Sequence, residues 1–356
     1  MKKENTPTMD KNFSFYVGTY TNGASEGIYK YVLQSNGIIK KIGLAAKSEN
    51  PSFLTFSNDK NFLIAVNEIN TQKGNGTVES FLIKDDSLTF INKSSSGGAH
   101  PCFVTTNKFN YVLTANYSSG NIGLLKLNNN GELSVLLDLQ QHTGKSITDR
   151  QESPHAHSVW LDQDELDVIS VDLGTNELWF SKIDTIQQKL VPSKPYKIAL
   201  APGSGPRHLT FHPNKKWIYV VNELNSTITH LQRNNSGKYD SISSVSTLPK
   251  DYQKPNTCAD IHISADGKFV YASNRGHNSI AIFEVNSNNG SLKLTGYEST
   301  KGDGPRNFSL APNDEFLLVA NQNTNNIVSF KRDKTTGLLK YLDQIEAPTP
   351  VCILFK

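Results

Sequence analysis

The stretch GPRHLTFHPNKKWIYVVNE, residues 205–223, carries two apolar runs, HLTF and WIYVVN, joined by His-Pro-Asn-Lys-Lys. Apolar runs of four to six residues with Asn, Pro and Lys between them are the chemistry of two short strands and a turn. The pattern recurs along the chain: NPSFLTFSNDKNF at 50–62, HPCFVTTNKFN at 100–110, HAHSVWLDQDEL at 155–166, TCADIHISADGKF at 257–269 and GPRNFSLAPNDEF at 304–316. In each copy the second run closes on a polar residue, giving Asn67, Asn116, Asp172, Asn222, Asn274 and Asn321, and YVGT closes likewise on Thr19. Those seven positions recur every 47 to 56 residues, the widest gap falling around 140–153. A third run follows, as in GNIGLLKL, STITHLQR, NSIAIFEV and NNIVSFKR, and then a polar turn into a fourth, such as GLLKYLDQ. Four short strands per unit, seven units and no useful 3.6-residue periodicity predict an all-β fold, a seven-bladed β-propeller. An open sandwich does not explain seven evenly spaced copies, and a parallel α/β fold lacks its crossover helices.

The first unit has no upstream strand, while the chain ends in PTPVCILF, which reads as the missing partner of NFSFYVGT. One blade is therefore expected to be closed by strands from both termini, a closure that removes exposed sheet edges. Residues 1–12 are expected to be a flexible N-terminal segment and 13–356 a single domain. The recurring asparagines fit a repeated strand-end hydrogen bond better than catalysis.

Thirty-six Lys and Arg against 33 Asp and Glu leave a net charge of +3, spread along the chain without the basic stripe of a nucleic-acid binder. Cys102, Cys258 and Cys352 are odd in number, far apart and without CxxC spacing, so neither disulfides nor a zinc site is indicated. No stretch approaches the roughly 20 apolar residues of a membrane span, and MKKENTPTMDKNFSF has no apolar signal core. A cytoplasmic protein with no membrane or nucleic-acid partner is the expectation, and reduced thiols fit it.

The hairpin reading brings particular residues to one end of each blade. Arg207 opens one strand and Glu223 follows its partner; Arg275 occupies the place of Glu223 in the next blade, and His155 and His157 open the blade before. Blades are radial, so these side chains should share one mouth of the central channel. Guanidinium groups bind carboxylate or phosphate in a planar fork, and Glu or His can activate water. Arg and Glu at hairpin ends also form purely structural ion pairs, so spacing alone leaves both readings open. His208, His212, His262 and His277 are expected in turn or inter-blade hydrogen bonds, and Asp172 and Glu68 as lining positions. No Walker loop or HExxH is present, and arginines with one obvious carboxylate call for no metal and no cofactor.

Over 16–355, YVGTYTNGASEGIYKY, LTANYSSGNI, RQESPHAHSVW, ADIHISADGKFVYASNRGHNSIAIF and the two GPR copies resemble the lactonase family typified by propeller-type 6-phosphogluconolactonase, whose relatives include the fungal carboxy-muconate lactonising enzyme. The resemblance implies hydrolysis of an anionic sugar lactone, 6-phospho-glucono-δ-lactone, to 6-phosphogluconate in the pentose phosphate pathway. The set it implies, a histidine, an arginine, a glutamate and a second arginine, falls on His157 or His155, Arg207, Glu223 and Arg275. Counting back from Asp172 favours His157; aligning on Pro154 favours His155. Phe103 stands where many relatives carry histidine. The rival expectations are a lactonising or delactonising enzyme for another carboxylated substrate, and a non-catalytic propeller that binds a ligand or protein.

Overall fold

The computed structural model describes residues 12–85, 87–162 and 164–356. Its strands form seven four-stranded antiparallel sheets arranged in a ring. Apart from Asn12, the segment expected to be flexible lies outside the described residues. Six sheets take consecutive strands, whereas the first takes its innermost strand, Pro350–Phe355, from the C-terminus and pairs it with Phe13–Thr19. The closure expected from NFSFYVGT and PTPVCILF is therefore present, with Tyr16 opposite Leu354 and Gly18 opposite Cys352. We number the blades in chain order, blade 1 being the closed one.

The inner strands Pro350–Phe355, Pro51–Phe56, Pro101–Thr106, Ala156–Leu161, Pro206–Phe211, Thr257–Ile263 and Pro305–Leu310 neighbour one another around the channel. The second strand of each blade is buried almost throughout: Phe62–Asn67, Tyr111–Asn116, Trp217–Asn222 and Phe316–Asn321 have no exposed residue. Such continuous apolar runs arise because both faces of a blade pack on neighbouring blades. The outermost strands are largely exposed to solvent, as in Ile39–Lys47. The cores accordingly lie between blades, one cluster joining Phe15 and Tyr31 of blade 1 to Phe316 and Leu318 of blade 7.

The strand-end asparagines do what their recurrence suggests. Asn67, Asn116, Asn274 and Asn321 are fully buried and donate from Nδ2 to the backbone carbonyls of Glu49, Ser96, Thr247 and Thr300. Each ties the end of a second strand to the chain leaving an outer strand. Asn222 instead donates to the hydroxyls of Thr227 and Thr229.

Candidate functional site

A local irregularity shared by all seven blades builds the site. Five of the seven inner strands enter through a tight turn, with positive φ at Asn50, His100, Gly205, Gly304 or Thr349 just before a proline. A Cβ at Gly205 would lie 2.4 Å from Leu224 Cγ, so that turn requires glycine. Immediately afterwards the ladder slips: Pro51, Pro101, Ala156, Pro206 and Pro305 pair, the next residue does not, and the following one does. Blade 1 skips Val351, and blade 6 skips two residues between Cys258 and Ile261. A β-bulge of this kind re-aims a side chain. The bulged residues are Val351, Ser52, Cys102, His157, Arg207, the Ala259–Asp260 pair and Arg306, of which Cys102, His157 and Arg306 line the cavity at the mouth.

The second contribution comes from residues just past the second strand or at its end, Tyr20, Glu68, Tyr117, Glu223 and Arg275. A cavity of about 260 Å³ opens where the two sets meet, lined by His157, Glu223, Arg275, Arg306, Arg150, Tyr117, Glu68, Cys102 and Thr257. Glu223 is its electrostatic hub. Its Oε2 lies 3.0 Å from Arg207 Nε and 2.9 Å from Arg275 Nη2, and its Oε1 accepts from Arg150 Nη2 at 3.2 Å. Arg207 is only 2% exposed and also donates from Nη1 to the Ala259 carbonyl; Arg275 donates to the Cys258 carbonyl. Burial would push the Glu223 carboxyl upward, but Arg275, Arg207, Arg150 and Arg306 outweigh it and hold the group at about 2. Glu223 is thus a fixed anion that orients guanidiniums and is too weakly basic to take a proton readily near neutrality.

His157 is buried, with its ring edge-on to those of Tyr117 and His208 and its Nδ1 3.7 Å from Cys102 Sγ. Burial, followed by the charges of Arg207, His208 and Arg306, holds it well below the usual 6.5. A neutral imidazole results, able to accept a proton. Burial, reinforced by Glu68, drives the Cys102 thiol above its ordinary range, which leaves it no thiolate for nucleophilic chemistry. His155 does not line the cavity. It stacks on Tyr117 at 4.6 Å, its Nδ1 lies 3.1 Å from the Tyr117 carbonyl, and its backbone N–H donates to Asp172. Of the two histidines considered from the sequence, the bulge turns His157 inward.

The remaining expected positions are structural in their contacts. Asp172 is fully buried between His142 Nδ1, at 2.7 Å, and the N–H groups of His155 and Thr175. Asp260 holds three blades together beneath the mouth, accepting from His262 within its blade, His208 of blade 5 and Asn307 of blade 7. His212 reaches the Gly267 carbonyl of blade 6, and His277 contacts the Ser279 hydroxyl. Phe103 lies below the bulge residues, stacked on Phe53 at 4.2 Å and edge-on to His208, so the channel floor there is apolar. Glu68 gives the cavity a second carboxylate where one was expected, and it accepts from the Tyr20 hydroxyl at 2.8 Å. Two arginines escaped the sequence reading. Arg150 sits on a short 3-10 turn, Asp149–Gln151, inside the 140–153 insertion, which has no counterpart in the other blades to align on. Arg306 was visible as the Arg of a second GPR copy, the same motif position as Arg207.

Comparison with known proteins bears on this arrangement. The chain matches the family described as "Lactonase, 7-bladed beta-propeller" over residues 14–355. It is 38% identical to the 6-phosphogluconolactonase of Bacillus subtilis, covering 96% of this chain and 97% of that one. It is 36% identical to the 6-phosphogluconolactonase of Formosa agariphila, over 83% and 85%. The solved structure of a periplasmic gluconolactonase from Pseudomonas aeruginosa superposes with a TM-score of 0.92 at 29% identity, over 97% and 99% of the two chains. With the fold, the blade closure and a match across nearly its whole length in agreement, the chain belongs to the lactonase family of seven-bladed β-propellers.

Proposed function

We propose that residues 13–356 act as a single domain that hydrolyses a sugar δ-lactone, with 6-phospho-glucono-δ-lactone as substrate and 6-phosphogluconate as product. The observation that carries this reading is the meeting of a neutral, buried His157 with the Glu223-centred arginine cluster in one cavity. His157 takes the proton of a water attacking the lactone carbonyl and returns it to the ring oxygen as the C–O bond breaks. Glu223 holds Arg207 and Arg275 in place, and the positive mouth draws in an anionic substrate. The names and the identity of the relatives support the same substrate class. The test is a hydrolysis assay comparing 6-phosphogluconolactone with its unphosphorylated analogue, after subtraction of spontaneous opening. The phosphorylated lactone is expected to have the higher kcat/KM; equal, near-background rates on both would refute the proposal.

Arg150 stands at the outer edge of the cavity, half exposed, held by the Tyr117 hydroxyl at 2.8 Å and by Glu223. This position suits the phosphate end of the substrate, since a guanidinium meets phosphate through charge-assisted bonds. Arg150→Ala should raise KM for the phosphorylated lactone by about tenfold or more, the worth of one charged hydrogen bond, and leave the unphosphorylated lactone nearly unaffected. An equal change on both would assign Arg150 to the fold of the mouth alone.

No metal is assigned a role, because three guanidiniums engage the Glu223 carboxylate and, among the described residues, no three His, Cys, Asp or Glu side chains group to hold a cation. Exhaustive chelation should leave the rate unchanged; loss restored by a divalent ion would point first to Glu68. Three free, buried thiols suit a reducing compartment, and we place the protein in the cytoplasm. Among the described residues no helix is long and apolar enough to cross a membrane.

A further inference from the structure

The four arginines of the mouth are not equivalent. Arg207, Arg275 and Arg150 all touch the Glu223 carboxylate, so their charge is offset at contact distance. Arg306 differs in contact: among the described residues no hydrogen bond or ion pair engages its guanidinium N–H groups, although Glu68 and Glu223 lie near enough to favour its charge. Its guanidinium lies over the Tyr20 ring, 5.4 Å from the centroid, and the nearby Glu68 carboxylate is occupied by the Tyr20 hydroxyl. Arg306 also occupies the bulge of blade 7, three blades round the ring from the His157 bulge in blade 4, and both line the same cavity. The proximity is felt electrostatically, since the Arg306 charge contributes to keeping His157 neutral. A lactone ring placed between them would meet the proton acceptor on one side and a planar guanidinium with unengaged N–H groups on the other.

We infer that Arg306 is a catalytic residue whose guanidinium receives the lactone carbonyl oxygen as it becomes an oxyanion. The inference rests on the lactonase reading above. Water oxygen bonds to the carbonyl carbon, its proton passes to His157, and the carbonyl π pair moves onto the oxygen facing Arg306. On collapse that pair re-forms the carbonyl, the ring C–O bond breaks, and the leaving oxygen takes the proton from His157. The product is the hydroxy acid, which ionises to solvent. Arg207 and Arg275 are poorer donors to this oxygen because their N–H groups already engage Glu223 and the Ala259 and Cys258 carbonyls. A preorganised donor whose N–H groups are unengaged is placed to stabilise the developing anion.

The experiment is steady-state kinetics of R306Q, R306K and R306A on 6-phosphogluconolactone, with thermal melts of each. R306Q should lose roughly 10²–10³ in kcat with a much smaller change in KM, the cost of removing one oxyanion donor. R306K, a point charge without the fork, should recover part of that loss. If R306Q is recovered unfolded, R306K decides by the same kcat criterion. Added guanidinium ion at non-denaturing concentration should raise the rate of folded R306A, a rescue that a merely structural arginine does not permit. An R306Q kcat within about threefold of the parent, a defect confined to KM, or no guanidinium rescue would each overturn the role of Arg306 while leaving the lactonase reading intact. A parent chain inactive on both lactones would remove the reaction itself, and this role with it.

Discussion

His157→Gln is expected to lower kcat for lactone hydrolysis by about 10²–10⁴-fold, the usual worth of a positioned general base, with KM changed far less. Glutamine nearly preserves volume and polarity at a site only 4% exposed, so the fold should survive and the loss should report proton transfer. Glu223→Gln should behave differently. Glu223 sits at about 2 and is already ionised throughout the working range, so removing its charge leaves the buried Arg207 and the partly exposed Arg275 without their contacting counter-ion. Breaking one side of a buried ion pair costs about 3–5 kcal/mol, which should appear as a lowered melting temperature and a raised KM. The pH profile separates the two candidates as bases. Because its surroundings depress His157, the imidazole stays neutral as pH falls through 6.5 and protonates only lower, so the acid limb of kcat/KM should lie below 6.5. A limb at or above 6.5, or a larger kcat loss in E223Q than in H157Q, would transfer the base role away from His157.

Ending the chain at Pro348 should abolish cooperative folding or yield insoluble protein. The deletion removes the inner strand Pro350–Phe355, in which Val351, Cys352 and Ile353 are at most 5% exposed. It also removes the Ile353 N–H bond to Asn307 Oδ1 at 2.7 Å, a tie to blade 7. Each buried aliphatic side chain contributes roughly 1.5–3 kcal/mol, and whole domains are stable by only about 5–15 kcal/mol. The strand Phe13–Thr19, carrying the fully buried Phe15, Tyr16 and Val17, would become an open apolar edge. Circular dichroism melts and size-exclusion chromatography of the truncated chain test this; a melt superposable on that of the full chain would refute it.

The blade count and the closing strand could be read in advance because they rest on chain-long regularities: seven strand ends at near-equal spacing and two half-units at the termini. The cavity was legible in part. Arg207, Glu223 and Arg275 were found because each keeps a fixed offset from a strand end. The choice between His155 and His157 was not, because SPHAHS offers two registers and only the slip between Ala156 and Ser158 turns His157 inward. Arg150 escaped because an insertion has no repeat to align with. The distinction between Arg207 and Arg306, identical in motif, arises because Arg207 meets Glu223 at contact distance and Arg306 meets no carboxylate so closely, a relation with no sequence signature.

The ring of bulges separates the chemistry of the mouth from the stability of the blades. Except in blade 6, where Asp260 ties three blades together, the side chain skipped by the ladder stands outside the apolar inter-blade clusters, so the residue there can change without repacking a blade. Some ports carry reactive or charged groups, His157, Arg207 and Arg306, while Val351, Ser52 and Cys102 hold small side chains. Specificity in this architecture is therefore modular and combinatorial: a new lactone could be accommodated by rewriting the three small ports around an unaltered histidine and arginine pair, and a library confined to those positions would sample substrate range at little risk to the scaffold.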